Sequence, residues 1–224
     1  MRTPSVTALL FAGAVAVAAP AAGAPQSCAE MGGLVQAGGT CRVQASEATY
    51  IMDVAFPLDY PDEQAVLNYL GQTRDGFLNV ASTPDPRSRP YEWDVTSESL
   101  ASAQTRSVVL KLFQDTGGAH PTSWFKAFTF DTVRGVPVTF DTLFAPGADP
   151  LEVVFPIVQR ELESKSALVG SVSPGDGMDP SHYQNFAITD DSVIFYFARA
   201  ELLPSYAGES SVTIPRSELP PLRV

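Results

Sequence analysis

The stretch Asp115–Trp124, DTGGAHPTSW, gathers a carboxylate, an imidazole and a hydroxyl within one short segment. His120 is one of only two histidines in the chain. Imidazole titrates near neutral pH, so His120 suits a general base. Asp115 is near enough along the chain to orient the ring, and Ser123 supplies a hydroxyl nucleophile. Gly117 and Gly118 allow close backbone approach to a ligand, and free N–H groups in such a loop suit an oxyanion. In this reading His120, Asp115 and Ser123 are catalytic, Gly117 and Gly118 bind substrate, and the chemistry is acyl transfer. The same glycines equally suit a turn that ends a strand, with His120 satisfied by a local hydrogen bond.

Glu201, in FYFARAELLPSYAG, is a further substrate-binding or acid/base candidate, because it follows an aromatic strand and would sit at its mouth. It also suits a turn made by Pro204 and Gly208, where a carboxylate accepts backbone N–H bonds. His182, in DPSHYQN, falls in a polar loop and reads as structural. Asp190 and Asp191 read as hairpin turn residues. Phe195, Tyr196 and Phe197 read as packing. The G-x-S-x-G elbow of many serine hydrolases is absent, and the nearest string, GSVSPG, has the wrong spacing. P-loop, dinucleotide and H-E-x-x-H motifs are absent too. Two cysteines and two distant histidines make no zinc set, so neither a metal nor a cofactor is expected.

These side chains need strands and turns to hold them. SVVLKLFQ, just before the glycines, is apolar and reads as a central strand. SWFKAFTFDTVRGVPVTFDTLF, just after them, alternates and then turns at VRGVP, a hairpin pattern. YIMDVAF and YEWDV alternate with period two. Val66, Leu67, Tyr69, Leu70, Phe77 and Leu78 form one helical stripe after Pro61-Asp62-Glu63. DPLEVVFPIVQRELESKS reads as a second helix, with Asp149 at the N-cap and Pro156 inside it. QNFAITDDSVIFYFA and SSVTIP supply the last strands. The expected fold class is α+β: a mostly antiparallel twisted sheet with two helices packed on it.

The 224 residues are 45% hydrophobic and 17% charged, enough for one compact domain. MRTPSVTALLFAGAVAVAAPAAGAP has one basic residue, a short apolar run and A-x-A sites ending at Ala21 and Ala24. It reads as a secretory signal peptide over 1–24, leaving a single secreted domain over 25–224. Its apolar run is too short to span a bilayer stably, and no later stretch is apolar enough for a membrane helix. The formal net charge is −11, and loss of Arg2 with the leader makes it −12. Such an acidic chain repels phosphate backbones, so nucleic acid is a poor partner. Cys28 and Cys41 are an even pair in a secreted chain and are expected to form a disulfide.

The strings YPDEQAVLNYLGQTRDGFLNVA, SVVLKLFQDTGGAHPTSWFKAF, VTFDTLF, PLEVVFPIVQREL, DPSHYQNFAITDDSVIFYF and ELLPSYAG with IPRS together resemble the secreted mycobacterial immunogenic antigen family. That family comprises the antigen of tubercle bacilli and its esterase-assigned paralogue, whose branch shares the GGTC start. From about 115 to 219 the chain also resembles the extracytoplasmic domain of RsiV, an anti-sigma factor that binds lysozyme. The resemblance implies a β-grasp-like α+β fold and two alternative functions. One is a carboxylesterase acting on short-chain acyl esters. The other is a non-catalytic extracellular module recognising a host or envelope protein, a lysozyme-type ligand. A monomer, released from the cell or held at its wall, is expected in either case.

Overall fold

The computed structural model describes residues 27–83, 85, 90–118 and 120–224. The expected leader, 1–24, and most of the proline-rich stretch 82–90 lie outside them. Seven strands form the larger sheet: β1 (Leu34–Gln36), β2 (Thr40–Ser46), β3 (Tyr50–Pro57), β4 (Tyr91–Ala101), β5 (Thr105–Asp115), β6 (Thr122–Asp131) and β7 (Val136–Pro137). Their spatial order follows the chain. Every pairing is antiparallel except β3 with β4. A parallel pair needs a crossover, and helix α1 (Glu63–Ala81) supplies it. The expected period-two pattern holds: Met52, Val54 and Phe56 face inward with Tyr91, Trp93 and Val95. They meet Val66, Leu67, Leu70 and Phe77 of the α1 stripe in one core.

Strands β8 (Phe186–Ile188), β9 (Ser192–Phe197) and β10 (Ser210–Pro215) form a separate sheet in the order β10-β9-β8. Alternation along β9 sorts its two faces. Val193, Phe195 and Phe197 enter a core with Leu151, Val154, Val158 and Leu162 of helix α3 (Pro150–Ser166). Tyr196 and Ile194 turn the other way, toward Val109 of β5 and Ala127 of β6. The stacking is therefore α1, large sheet, small sheet, α3, so each long helix covers its own sheet. Polar contacts fix the sheets together. Thr129 Oγ1 donates to the Phe186 carbonyl at 2.9 Å, and Ile188 N–H donates to Ser107 Oγ at 3.3 Å. Asn185 Oδ1 accepts the Ala127 N–H at 3.0 Å, on the edge of β6 that the short β7 leaves open.

The hairpin read at VRGVP forms, with Phe130 opposite Pro137 and Asp131 opposite Val136. The expected strand VTFDTLF does not continue. Pro137 has no N–H to extend the ladder, and Thr139 with Thr142 makes a reciprocal cap that starts the short helix α2 (Phe140–Leu143). Another one-turn helix, α4 (Pro174–Gly177), lies in the glycine-rich loop before β8. Asp149 occupies the N-cap of α3, but its side chain makes no capping bond. The helix runs on through Pro156.

Asp131 is 2% exposed and organises the β6–β7 turn. Its carboxylate accepts the N–H groups of Val133 and Arg134 at 2.9 and 2.8 Å, and Arg134 Nε at 2.6 Å. Burial alone would raise its pKa, but the Arg134 and Val133 hydrogen bonds and the Arg134 charge outweigh it and hold the carboxyl below the ordinary range. The folded state therefore binds this proton less readily than the unfolded chain. The resulting stability is present above the ordinary carboxylate pKa and is lost as the pH falls through the folded value. The Tm gap between wild type and Asp131→Asn should be widest near pH 7 and narrow toward about pH 3, as read by thermal unfolding.

Cys28 and Cys41 form a disulfide, with Cα atoms 5.7 Å apart. It ties the first described turn to β2. Gly33 packs against it so closely that a Cβ there would lie 2.7 Å from Cys41 Sγ. The bridge spans a sequence separation of 13, for which loop entropy suggests about 3 kcal/mol. A Cys28→Ser/Cys41→Ser variant should lose roughly that much in denaturant unfolding, a Tm drop of about 6–12 °C.

Candidate functional site

The residues leading into β6, the start of β6 and the turn after β9 enclose a shallow pocket of about 210 Å³. Its wall holds His120, Pro121, Thr122, Ser123, Arg199, Ala200 and Ser205. Two of the three predicted catalytic residues, His120 and Ser123, thus share one cavity. His120 is exposed at the rim. Ser123, second residue of β6, is only 9% exposed and lies opposite Phe113.

Asp115 does something other than touch the ring. Its Oδ1 accepts the Gly117 N–H at 2.8 Å, which fixes the turn carrying His120. Gly117 has φ +75°, a conformation glycine adopts readily. Among the described residues no hydrogen bond joins Asp115 or Ser123 to His120. Gly117 and Gly118 are exposed, and a Cβ at Gly118 would meet nothing within 4 Å. Asp115 also lies opposite Glu92 on β4, with Asp94 close by. Burial pushes the Glu92 carboxyl up, and the hydrogen bond and charge of Asp94 and the charge of Asp115 add to it.

The Ser123 hydroxyl lies close to the Glu209 carboxylate and helps to favour its charged form. Lys111 Nζ lies 3.0 Å from Glu209 Oε1. Glu209 is held below the ordinary carboxylate range, first by its own backbone N–H, against burial, and then by Lys111 and Ser123. Ser123 and Lys111 reach Glu209 from the same face of adjacent strands, the face turned toward the small sheet.

Glu201 lies outside the pocket wall. Its Oε2 accepts the Ala198 N–H at 2.5 Å, and its Oε1 is 3.3 Å from His182 Nδ1. It clamps the turn Ala198–Glu201 from within and brings in His182, in keeping with a structural role for that histidine. That turn places Ala200 at φ +65°, uncommon for a residue with a Cβ. It also delivers Arg199, which sequence reasoning did not select. Glu209 was missed likewise. Neither sits in a motif, and only the packing of the small sheet on β5 and β6 brings them to Ser123.

A larger cavity of about 460 Å³ lies elsewhere, between α2, the start of α3 and the C-terminal tail. Phe140, Phe144 and Leu151 line it with Asp141, Asp149 and Arg223, and it includes none of the predicted site residues. Among the described residues no group of three or more His, Cys, Asp or Glu is placed to hold a metal ion. No described helix is long and apolar enough to cross a membrane.

Residues 141–217 match the family described as "Protein of unknown function (DUF3298)". A crystal structure of a DUF3298 family protein from Pseudomonas aeruginosa PAO1 superposes with a TM-score of 0.58 at 13% identity, over 80% of this chain and 91% of that one. At that identity the likeness concerns the fold alone. The protein named Esterase Rv3036c, from Mycobacterium tuberculosis (strain ATCC 25618 / H37Rv), is 54% identical over 228 residues, the whole of both chains. Immunogenic protein MPT64 of the same strain is 44% identical over 215 residues, 94% of this chain and 92% of that one. With one relative matched end to end and another over nearly its full length, the chain belongs to the mycobacterial immunogenic-protein family that includes MPT64 and Esterase Rv3036c.

Proposed function

We propose that the protein is a secreted carboxylesterase acting on short-chain acyl esters, with Ser123 as nucleophile and His120 as base. The observation that carries this reading is the pocket that His120 and Ser123 share. The name of the relative at 54% identity supports it. At about 210 Å³ the pocket suits a small acyl group. Ser123 Oγ attacks the acyl carbon and its proton passes to the His120 imidazole. The carbonyl electron pair moves onto oxygen, then returns as the alcohol leaves with that proton. Water, deprotonated by His120, releases the acid and restores Ser123. Asp115 acts through the backbone, by fixing the turn before His120 through Gly117. Gly117 and Gly118 shape the turn that precedes His120, and Glu201 closes the turn that carries Arg199 and Ala200. Glu209 lies beside the Ser123 hydroxyl at rest.

The disulfide and the leader-like 1–24 segment support export of a mature chain over 25–224. We expect it to act as a monomer, free or at the cell wall, without a cofactor. Hydrolysis of p-nitrophenyl butyrate by purified wild type and His120→Ala tests the assignment. His120 is exposed, so its loss should leave Tm unchanged while kcat falls about 10²–10⁴-fold. Equal turnover by the two proteins would remove His120 from the mechanism.

A second reading is favoured by the crowded carboxylates Glu92, Asp94 and Asp115 on β4 and β5. In that reading the acidic face binds a basic host or envelope protein of the lysozyme type and catalyses nothing. Calorimetric titration with lysozyme in about 0.15 M salt tests it, since screening at that ionic strength removes weak charge attraction. Absence of saturable binding there would end this reading.

A further inference from the structure

We infer that Arg199 forms a carboxylate-binding subsite beside Ser123: its guanidinium takes the oxyanion of the acyl group and, after turnover, the carboxylate of the product. The inference rests on the esterase reading for the oxyanion and on geometry alone for the carboxylate.

Three observations converge on Arg199. First, it lines the same pocket as His120 and Ser123. Second, its fork is held but only partly used. Nε donates to the Ser205 carbonyl at 2.8 Å, and Nη1 points to the Pro121 carbonyl at 3.5 Å. Nη2 has no hydrogen-bond partner among the described residues. A guanidinium carries five N–H donors in a rigid plane, so the anchored Nε leaves the outer donors preset for a flat, two-oxygen anion. No described carboxylate lies within ion-pair distance of it, although the chain carries a net charge of −11. An uncompensated cation in the pocket of an acidic protein makes a local well for an anion.

Third, the turn that carries Arg199 is held by its own dedicated contacts. Ala200 adopts φ +65°, a conformation that costs a residue with a Cβ on the order of 1 kcal/mol. It persists because Glu201 closes the turn through Ala198 N–H and is itself met by His182. Backbone conformations of this kind are retained where surrounding contacts over-determine them. Here the outcome is that Arg199 faces β6 across the pocket, toward the carbonyl next to His120. Glu201 and His182 are positioning residues for it. A monocarboxylate fits the site better than a phosphate, because one guanidinium meets two carboxylate oxygens and no second cation lines the pocket.

Two arms test the subsite. In the first, sodium butyrate is titrated into ¹⁵N-labelled wild type, Arg199→Ala, Arg199→Lys and His120→Ala, with amide shifts read at Thr122, Ser123, Arg199, Ala200 and Ser205. Saturable shifts are expected in wild type and His120→Ala, at least tenfold weaker in Arg199→Lys and lost in Arg199→Ala. Unchanged amide spectra elsewhere and an unchanged Tm verify that the variants fold. Butyrate that fails to shift the wild type, or that shifts Arg199→Ala equally, overturns the subsite. In the second arm, the same proteins hydrolyse p-nitrophenyl butyrate. Loss of one oxyanion donor should lower kcat about 10²–10³-fold with little change in KM. Unchanged kcat in Arg199→Ala overturns the oxyanion role. Wild type that binds butyrate through Arg199 but hydrolyses nothing refutes the esterase reading and leaves the subsite standing.

Discussion

Replacing Ser123 with alanine is expected to lower kcat on p-nitrophenyl butyrate by at least about 10³-fold, because a nucleophile has no substitute in its own pocket. Other roles of Ser123 predict much smaller effects. If the hydroxyl served only to tie β6 to Glu209, the variant would lose one charge-assisted hydrogen bond, on the order of 2 kcal/mol of stability, and keep its turnover. Steady-state kinetics and thermal unfolding on one preparation separate the two outcomes. The Glu209 contact sharpens the comparison. Lys111 and the Glu209 backbone N–H keep that carboxylate ionised, so it can accept the hydroxyl at rest while being a weak base. Glu209→Gln should therefore leave most of the activity, whereas His120→Ala should not.

The second large effect concerns stability. Trp93 is 0% exposed on β4 and sits 6.0 Å from the Phe77 ring of α1, in the core that joins the helix to the large sheet. Trp93→Ala removes most of a large buried side chain and leaves a cavity, for about 3–5 kcal/mol. In Tm this is about 6–20 °C at 2–4 °C per kcal/mol. Trp93 Nε1 has no hydrogen-bond partner among the described residues. Trp93→Phe deletes that orphan donor together with part of the ring, so the relief of an unsatisfied polar group offsets part of the lost packing. The Phe variant should lie much nearer wild type than the Ala variant in urea unfolding. Equal losses would mean that the indole N–H is satisfied in solution.

The contrast between these two residues mirrors what the sequence made legible. Trp93 belongs to a period-two run, Tyr91-Trp93-Val95, whose inward face follows from alternation alone. The α1 stripe and the central position of β5 follow from periodicity in the same way, because burial acts on each element locally. The parallel pairing of β3 with β4 was implicit in a helix lying between them. What alternation does not carry is the assignment of strands to sheets. Nothing in QNFAITDDSVIFYFA states that β8 will lie across β5 and β6, since that choice depends on the shapes of both faces at once. β7 stops at Pro137 although VTFDTLF also alternates, because Pro137 and the Thr139–Thr142 cap decide against a longer strand.

The candidate site divides along the same line. His120, Asp115 and Ser123 were selectable because they are close in sequence, and the pocket does unite His120 with Ser123. Chain proximity points Asp115 at the ring, but its carboxylate accepts the Gly117 N–H, a local competitor that short turns regularly provide. Glu201 suits both a functional carboxylate and a turn acceptor, and its contacts are the Ala198 N–H of the turn and His182 beside it. Arg199 and Glu209 reach Ser123 through the small sheet, so no spacing rule points to them.

The most direct test of the account is covalent. Purified protein is treated with a fluorophosphonate, which phosphonylates an activated serine, and the adduct is located by peptide mass spectrometry. One adduct is expected, on Ser123, absent in Ser123→Ala and formed far more slowly in His120→Ala. An adduct on another residue, or continued hydrolysis of p-nitrophenyl butyrate with Ser123 unmodified after saturating treatment, would contradict it.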